Sequence, residues 1–213
     1  MLRIASLVVT LGSAALLAAA FAPSAAPTVA PAPVAAALEL EAHTYRLDPV
    51  HSSIVYRIKH NNVAYFYGRF NEMGGTITWD ESNPANNAIN IQIKAESVDS
   101  GNTRRDGHLR NADFFNVTEH PTISFVTTKI ERKGESGNMY LATGHLTLHG
   151  VTKSITADVE FTGSTTTGRG AHLMGLEAIF TIKRSEFNMN YGIEQGALGD
   201  EVRIMVGLEA VRS

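Results

Sequence analysis

Histidines and carboxylates build most metal centres and acid–base sites, and the chain carries eight histidines. His145 and His149 stand four positions apart, a spacing that on a helix would aim both rings at one ion. The residues around them alternate between apolar and polar, however, and on a strand four residues cover ~13 Å, too far for one zinc with ligands at about 2 Å. They read as surface or turn histidines, and no metal is expected.

Asp48, His51 and Ser52 supply the residue types of a hydrolytic set. Acyl transfer also requires an exposed nucleophile on a tight elbow and an oxyanion site, and no glycine-flanked elbow accompanies them. Asp48 and His51 therefore read as a turn and sheet-edge network. Arg104, Arg105 and Arg110 present guanidinium groups suited to a phosphate or other anionic head. They are equally suited to pairing with Asp106, Asp113 or Glu119 to fix a helix, and both roles stay open.

These groups are positioned by strands. Ile54, Tyr56 and Ile58 oppose Val55, Arg57 and Lys59, while Ile89, Ile91 and Ile93 oppose Asn90, Gln92 and Lys94. This period of two predicts strands with one buried and one wet face over 53–60 and 88–94. It returns at Ile155, Ala157, Val159 and Phe161, at Met174 through Ile182, and at Val202, Ile204, Val206 and Leu208. Weaker patterns at 65–70, 75–79, 122–130 and 139–148 bring the total to roughly eight to ten strands, an antiparallel barrel or sandwich rather than a βαβ fold. One region, 98–117, departs from it. Thr103 with Asp106 three residues later resembles a capping box, and Asn111 precedes a second turn carrying Phe114 and Phe115, so a short helical plug or lid is expected.

Residues 1–22 have Arg3 as their sole charge, an apolar run and small residues at the end, the pattern of a cleaved secretory signal. Residues 23–40 are almost entirely Ala, Pro, Val, Ser and Thr, a linker without the large side chains needed to offset ordering entropy. The folded domain is expected over 41–213. No cysteine is present, so neither a disulfide nor a lipid-modified cysteine is available. The net charge of −3 argues against a nucleic-acid partner, which calls for a concentrated positive surface.

Several ordered segments resemble the YceI-like family: Tyr45-Arg46-Leu47-Asp48 with His51-Ser52, Gly68-Arg69-Phe70, Arg105-Asp106-Gly107-His108-Leu109-Arg110 running into Asp113-Phe114-Phe115, and Pro121-Thr122-Ile123-Ser124-Phe125. Leu146-Thr147-Leu148-His149-Gly150-Val151-Thr152-Lys153 and Arg184-Ser185-Glu186-Phe187 through Gly199-Asp200-Glu201-Val202 continue the match. Asn188 departs from it, since relatives more often place glycine there; Asn also tolerates a positive φ.

The resemblance implies an all-β, extended lipocalin-like antiparallel β-barrel of about eight strands with a short helical insertion. It further implies a periplasmic protein that encloses an isoprenoid-type lipid, a polyprenyl chain or isoprenoid quinone, for storage, shielding or transport. Neither an enzymatic activity nor a cofactor is expected, and a homodimer stays open. The expected ligand walls are Tyr56, Ile58, Phe66, Phe70, Trp79, Ile91, Leu109, Phe114, Phe115, Phe125, Phe180 and Phe187, with Arg105 and Arg110 as head-group contacts. Two other readings compete. One is a lipid hydrolase or isomerase using His51 or His108, the other a filled barrel serving as an interaction module.

Overall fold

The computed structural model describes residues 42–135 and 137–213. The expected signal segment and linker lie outside them. One antiparallel sheet contains β1 (His43–Leu47), β2 (Ser53–His60), β3 (Ala64–Phe70), β4 (Met73–Trp79), β5 (Ala88–Lys94), β6 (Val98–Asp99), β7 (Thr122–Arg132), β8 (Met139–Leu148), β9 (Val151–Thr166), β10 (His172–Lys183) and β11 (Leu198–Arg212). Among the described residues one short α-helix, α1 (Thr103–Leu109), follows β6.

The order β1-β4-β5-β7-β8-β9-β10-β11 returns to β1 through the β1–β11 pairing, which closes an eight-stranded barrel. The remaining segments prolong three of those strands past bends. Both β1 and β2 pair with β11 (Tyr45 with Arg212, Ile54 with Val206), β3 then pairs with β2 (Phe70 with Ile54), and β6 with β3 (Val98 with Phe70). Eight long staves result, three of them bent, and closure removes most of the exposed edges that would invite aggregation.

The Asp48–His51–Ser52 group fastens the first bend. Asp48 N donates to Glu209 O at 2.8 Å, Glu209 N donates to the Ser52 hydroxyl at 3.1 Å, and Asp48 accepts from Val50 N and pairs with His51 Nδ1, both at 2.8 Å. Hydrogen bonding to His51 holds the Asp48 carboxyl below its usual range, and the same bond raises His51.

Alternation sorts the faces as the sequence pattern requires. In β5, Ile89, Ile91 and Ile93 are buried while Asn90, Gln92 and Lys94 are exposed. Each fully buried side chain of this size stabilises by roughly 1.5–3 kcal/mol, and without disulfides this burial and the closed ladder hold the fold.

The 98–117 region is less helical than its sequence suggests. Val98 and Asp99 form β6, and the cap is Asn102 rather than Thr103: its side chain accepts from Arg105 N at 3.0 Å. Asp106 does turn back, but to Ser100, accepting from its backbone N at 2.8 Å and from its hydroxyl. Beyond α1 the chain proceeds in hydrogen-bonded turns, with Phe114 N donating to Asn111 O at 3.0 Å. Asn188 takes the left-handed conformation at φ 61°, as its side chain permits.

Candidate functional site

Only one end of the barrel is filled. There Trp79 of β4 meets Tyr140 of β8 edge-on at 4.9 Å and stacks on Phe161 of β9 at 5.6 Å, aromatics from facing walls closing the interior. Beyond them the walls carry aliphatic residues such as Ile91, Leu146, Val159, Leu176 and Val206, which leave a cavity of about 630 Å³. That lies within the range of about 300–1,000 Å³ typical of ligand pockets. The cavity reaches solvent where its lining becomes exposed, at His60, Ala64 and Tyr65 in the β2–β3 turn and at Tyr191.

Helix α1 contributes a lid. Arg105, His108 and Leu109 fall on one helical face by their i, i+3, i+4 spacing and all line the cavity, followed by Phe114 and Phe115 from the next turn. Phe115 packs edge-on against Phe70 at 5.3 Å, joining lid to wall.

The polar groups on the wall are three tyrosines (Tyr56, Tyr65, Tyr191), two histidines (His60, His108) and two arginines (Arg105, Arg184), with no carboxylate among them. Three of them, Arg184, Arg105 and His108, are engaged with protein groups. Arg184 is buried and donates to the carbonyls of Gly199, Met189 and Tyr191, each at 2.8 Å, and of Leu198 at 3.3 Å. Its burial lowers the guanidinium pKa, opposed by nearby Asp200. Arg105 donates to Ser100 Oγ at 2.8 Å and Ser100 O at 2.6 Å and lies 4.0 Å over the Phe66 ring. His108 pairs with Asp113 at 2.8 Å and packs edge-on against Phe114 and Tyr191.

Tyr56 differs from them. Its hydroxyl is buried without a hydrogen-bond partner, and its ring lies over Gly68, where a Cβ would overlap it. The glycine of the Gly68-Arg69-Phe70 segment thus makes room for this ring. Burial, reinforced by the Asp106 charge, pushes the phenol pKa far up, so it remains a neutral donor. An unpaired buried hydroxyl costs roughly 1–3 kcal/mol, an expense that a ligand acceptor would recover.

Of the residues singled out in the sequence, Tyr56, Ile58, Phe66, Phe70, Ile91, Leu109, Phe114, Phe115, Phe125, Phe180 and Arg105 line the cavity. Trp79, Phe187 and Arg110 do not. Trp79 points inward, but at the filled end. Phe187 is buried elsewhere because the 3-10 turn Arg184–Phe187 breaks the alternation that aims Phe180, Ile182 and Arg184 at the cavity. Arg110 is a structural clasp whose guanidinium donates to Glu96 O at 2.8 Å and Val98 O at 3.1 Å. Sequence reasoning missed Arg184 and Tyr191; for Arg184 the signal was its parity with Ile182.

The histidine candidates separate. His51 sits on the bend outside the cavity lining, whereas His108 lines it. His149 occupies the two-residue β8–β9 turn with Gly150, at φ 51° and 74°, and bonds Phe187 O at 3.0 Å, while His145 is exposed on β8. Asp48, His51 and Glu209 bring ligand-type atoms within 4.8 Å of one another, but Asp48 already uses both oxygens in fastening the bend.

A closed antiparallel barrel with an apolar interior and a short helical lid defines the lipocalin-like class. Within it, the profile of the YceI-like domain matches residues 45–210, and the chain belongs to that family. A UPF0312 protein of Pectobacterium carotovorum is 39% identical over 162 residues, covering 76% of this chain and 82% of the relative. The crystal structure of BcnA from Burkholderia cenocepacia superposes with a TM-score of 0.69 at 25% identity, covering 77% of this chain and 99% of BcnA. A polyisoprenoid-binding domain from Saccharophagus degradans, implicated in plant cell wall breakdown, shares the fold with a TM-score of 0.60 at 16% identity, covering 79% of this chain and 98% of that domain.

Proposed function

We propose that the protein is an exported lipid carrier whose barrel encloses one long isoprenoid-type amphiphile, a polyprenyl chain or an isoprenoid quinone. The observation that carries this reading is the apolar cavity of about 630 Å³ with a mouth at the β2–β3 turn. Each methylene-sized group moved from water into it gains roughly 0.8 kcal/mol, so affinity grows with chain length and needs few polar contacts. The Saccharophagus neighbour, a polyisoprenoid-binding domain, supports the same class of guest.

The wall also favours a particular kind of terminus. Arg184, Arg105 and His108 are occupied by protein partners, and the neutral Tyr56 hydroxyl is a buried donor without one. An uncharged donor suits a carbonyl or alcohol oxygen better than a fully charged phosphate. Engagement of Arg184, Arg105 and His108 with protein groups supports binding rather than turnover. The composition of residues 1–22 supports export, with the periplasm as the destination.

Two measurements test the proposal. Mass spectrometry of organic extracts from native protein is expected to reveal an isoprenoid lipid; absence of any lipid, with no uptake of added polyprenyl ligands, overturns the carrier reading. Cell fractionation with N-terminal sequencing is expected to find a shortened chain in the periplasm, and an intact cytoplasmic chain rejects the location.

A further inference from the structure

The barrel exterior differs from place to place. On β8, β9 and the β7–β8 connection polar groups satisfy one another: Lys133 with Asp158 at 2.6 Å, Asn138 with Glu160 at 2.8 Å, Thr143 with Thr156 at 2.9 Å. Of the cations Arg57, Lys59, Arg69 and Arg203 on the outer face of β2, β3 and the adjoining part of β11, Arg69 alone among the described residues meets a carboxylate, that of Asp99. Arg57 of β2 stands directly opposite Arg203 of β11 on one side and Tyr67 of β3 on the other, and Lys59 stands opposite Tyr65. Arg57 lies 4.0 Å over the Tyr65 ring and Lys59 5.9 Å from it.

Among the described residues, Arg57, Lys59 and Arg203 form no ion pair. Asp99 is held by Arg69 at 3.3 Å, and Glu201 stands opposite Lys183. Like charges directly opposed across a ladder destabilise a sheet. The Arg57–Arg203 pairing is therefore a local cost that an external anionic surface would relieve.

We infer that this face docks on an anionic lipid bilayer. The cations match such a surface in charge, and the exposed Tyr65 and Tyr67 have the amphipathic rings that settle at headgroup depth. Val63, 85% exposed at the tip of the β2–β3 turn, adds an apolar point. The patch is continuous with the cavity mouth, because Tyr65, Ala64 and His60 belong to both. Docking there sets the opening against the lipid from which a guest enters or leaves. The inference goes beyond the carrier reading and stands on the outer surface alone.

The test is co-sedimentation of the folded protein with vesicles of phosphatidylcholine alone or mixed with phosphatidylglycerol, alongside uptake of a fluorescent polyprenyl probe in vesicle-free solution. Binding is expected to the anionic vesicles, to fall as salt is raised, and to weaken on the order of fivefold for each cation removed in Arg57→Ser and Arg203→Ser. Val63→Ser and Tyr67→Ser are expected to weaken it at unchanged charge. All four variants are expected to keep probe uptake, and Arg203→Ser to keep or raise the melting temperature, since it removes a repulsion. Equal sedimentation with neutral and anionic vesicles, or none, overturns docking whether or not the probe binds. So does stronger binding to a DNA duplex, or a dimer in sedimentation velocity that Arg57→Ser dissolves. Loss of probe uptake by the unaltered protein strikes the carrier reading instead, leaving the vesicle result to decide docking.

Discussion

The two ends of the barrel are built from the same alternating strands yet do opposite things with their interiors. At one end Trp79, Tyr140 and Phe161 reach across and touch, and at the other Ile91, Leu146, Val159 and Val206 stop short of one another. The difference lies in side-chain reach, because an eight-stranded barrel is just wide enough either to be filled or to hold one slender guest. At the floor Trp79, Tyr140 and Phe161 meet across the barrel, whereas around the chamber aromatics such as Phe125 and Phe180 are interspersed with aliphatics and the small Ala157 and Ala178, and the centre stays hollow. One architecture thus supplies a rigid floor and a receptive chamber.

The largest expected effect is at the floor. Trp79→Ala removes the ring that joins β4 to β8 and β9, and a deletion of this kind in a packed core costs about 3–5 kcal/mol. Urea denaturation measures it, while any lipid affinity of the folded fraction should change little. A loss below about 1 kcal/mol would show that the floor is not closely packed, and the contrast between the ends would disappear.

Converting the chamber into a second floor is the reciprocal change. Ala178→Trp projects a ring into the void from β10, between Val159 and Val206. Lipid affinity is expected to fall by at least about tenfold, ~1.4 kcal/mol, with the urea midpoint close to that of the parent because empty space accepts the ring. Unchanged affinity would mean that the guest lies elsewhere.

Tyr56→Phe is subtler. It deletes a buried hydroxyl that has no protein partner, so stability should hold or rise. Affinity for a polyprenyl alcohol or quinone should fall by about 0.5–1.5 kcal/mol, the net worth of one hydrogen bond, while a pure polyprenyl hydrocarbon should bind as before. Parallel titrations of the two ligand types provide the check, and equal losses for both would remove Tyr56 from any polar role.

How far this contrast was legible in the sequence depends on the interaction that decides each feature. Alternation is local, so it alone puts Tyr56, Phe70, Ile91 and Phe180 on the inner face, where they line the cavity. Trp79 has the same parity and was assigned to the ligand wall, because what distinguishes it is Tyr140 and Phe161 across the barrel, contacts fixed by register. Phe187 failed for a different reason: a 3-10 turn interrupts the period of two. Arg110 was ambiguous by composition, and its partners proved to be the carbonyls of Glu96 and Val98, which no count of charges reveals. The bends that make three staves out of six segments show in the sequence only as short polar interruptions.

The smallest expected effect concerns acid, and it again separates the ends. Beyond the floor, the loop after β4 is organised by Asp80, which accepts from Ser82 Oγ at 2.6 Å, Asn86 Nδ2 at 2.9 Å, Asn83 N at 2.9 Å and Ser82 N at 2.8 Å. These bonds, the Ser82 hydroxyl foremost, hold its pKa at about 2 against an ordinary 3.8. A carboxyl depressed on folding stabilises the native state fully above its unfolded pKa and loses that contribution as pH falls through the folded value. The urea midpoint should therefore drop between about pH 4 and pH 2, with amide exchange rising first at 82–87 rather than at the chamber mouth. Asp80→Asn should be less stable near neutrality, since its amide meets the Asn86 amide donor to donor, and should flatten the response over that interval. If it retains the parent's full acid dependence, Asp80 is not the group that couples the closed end to pH.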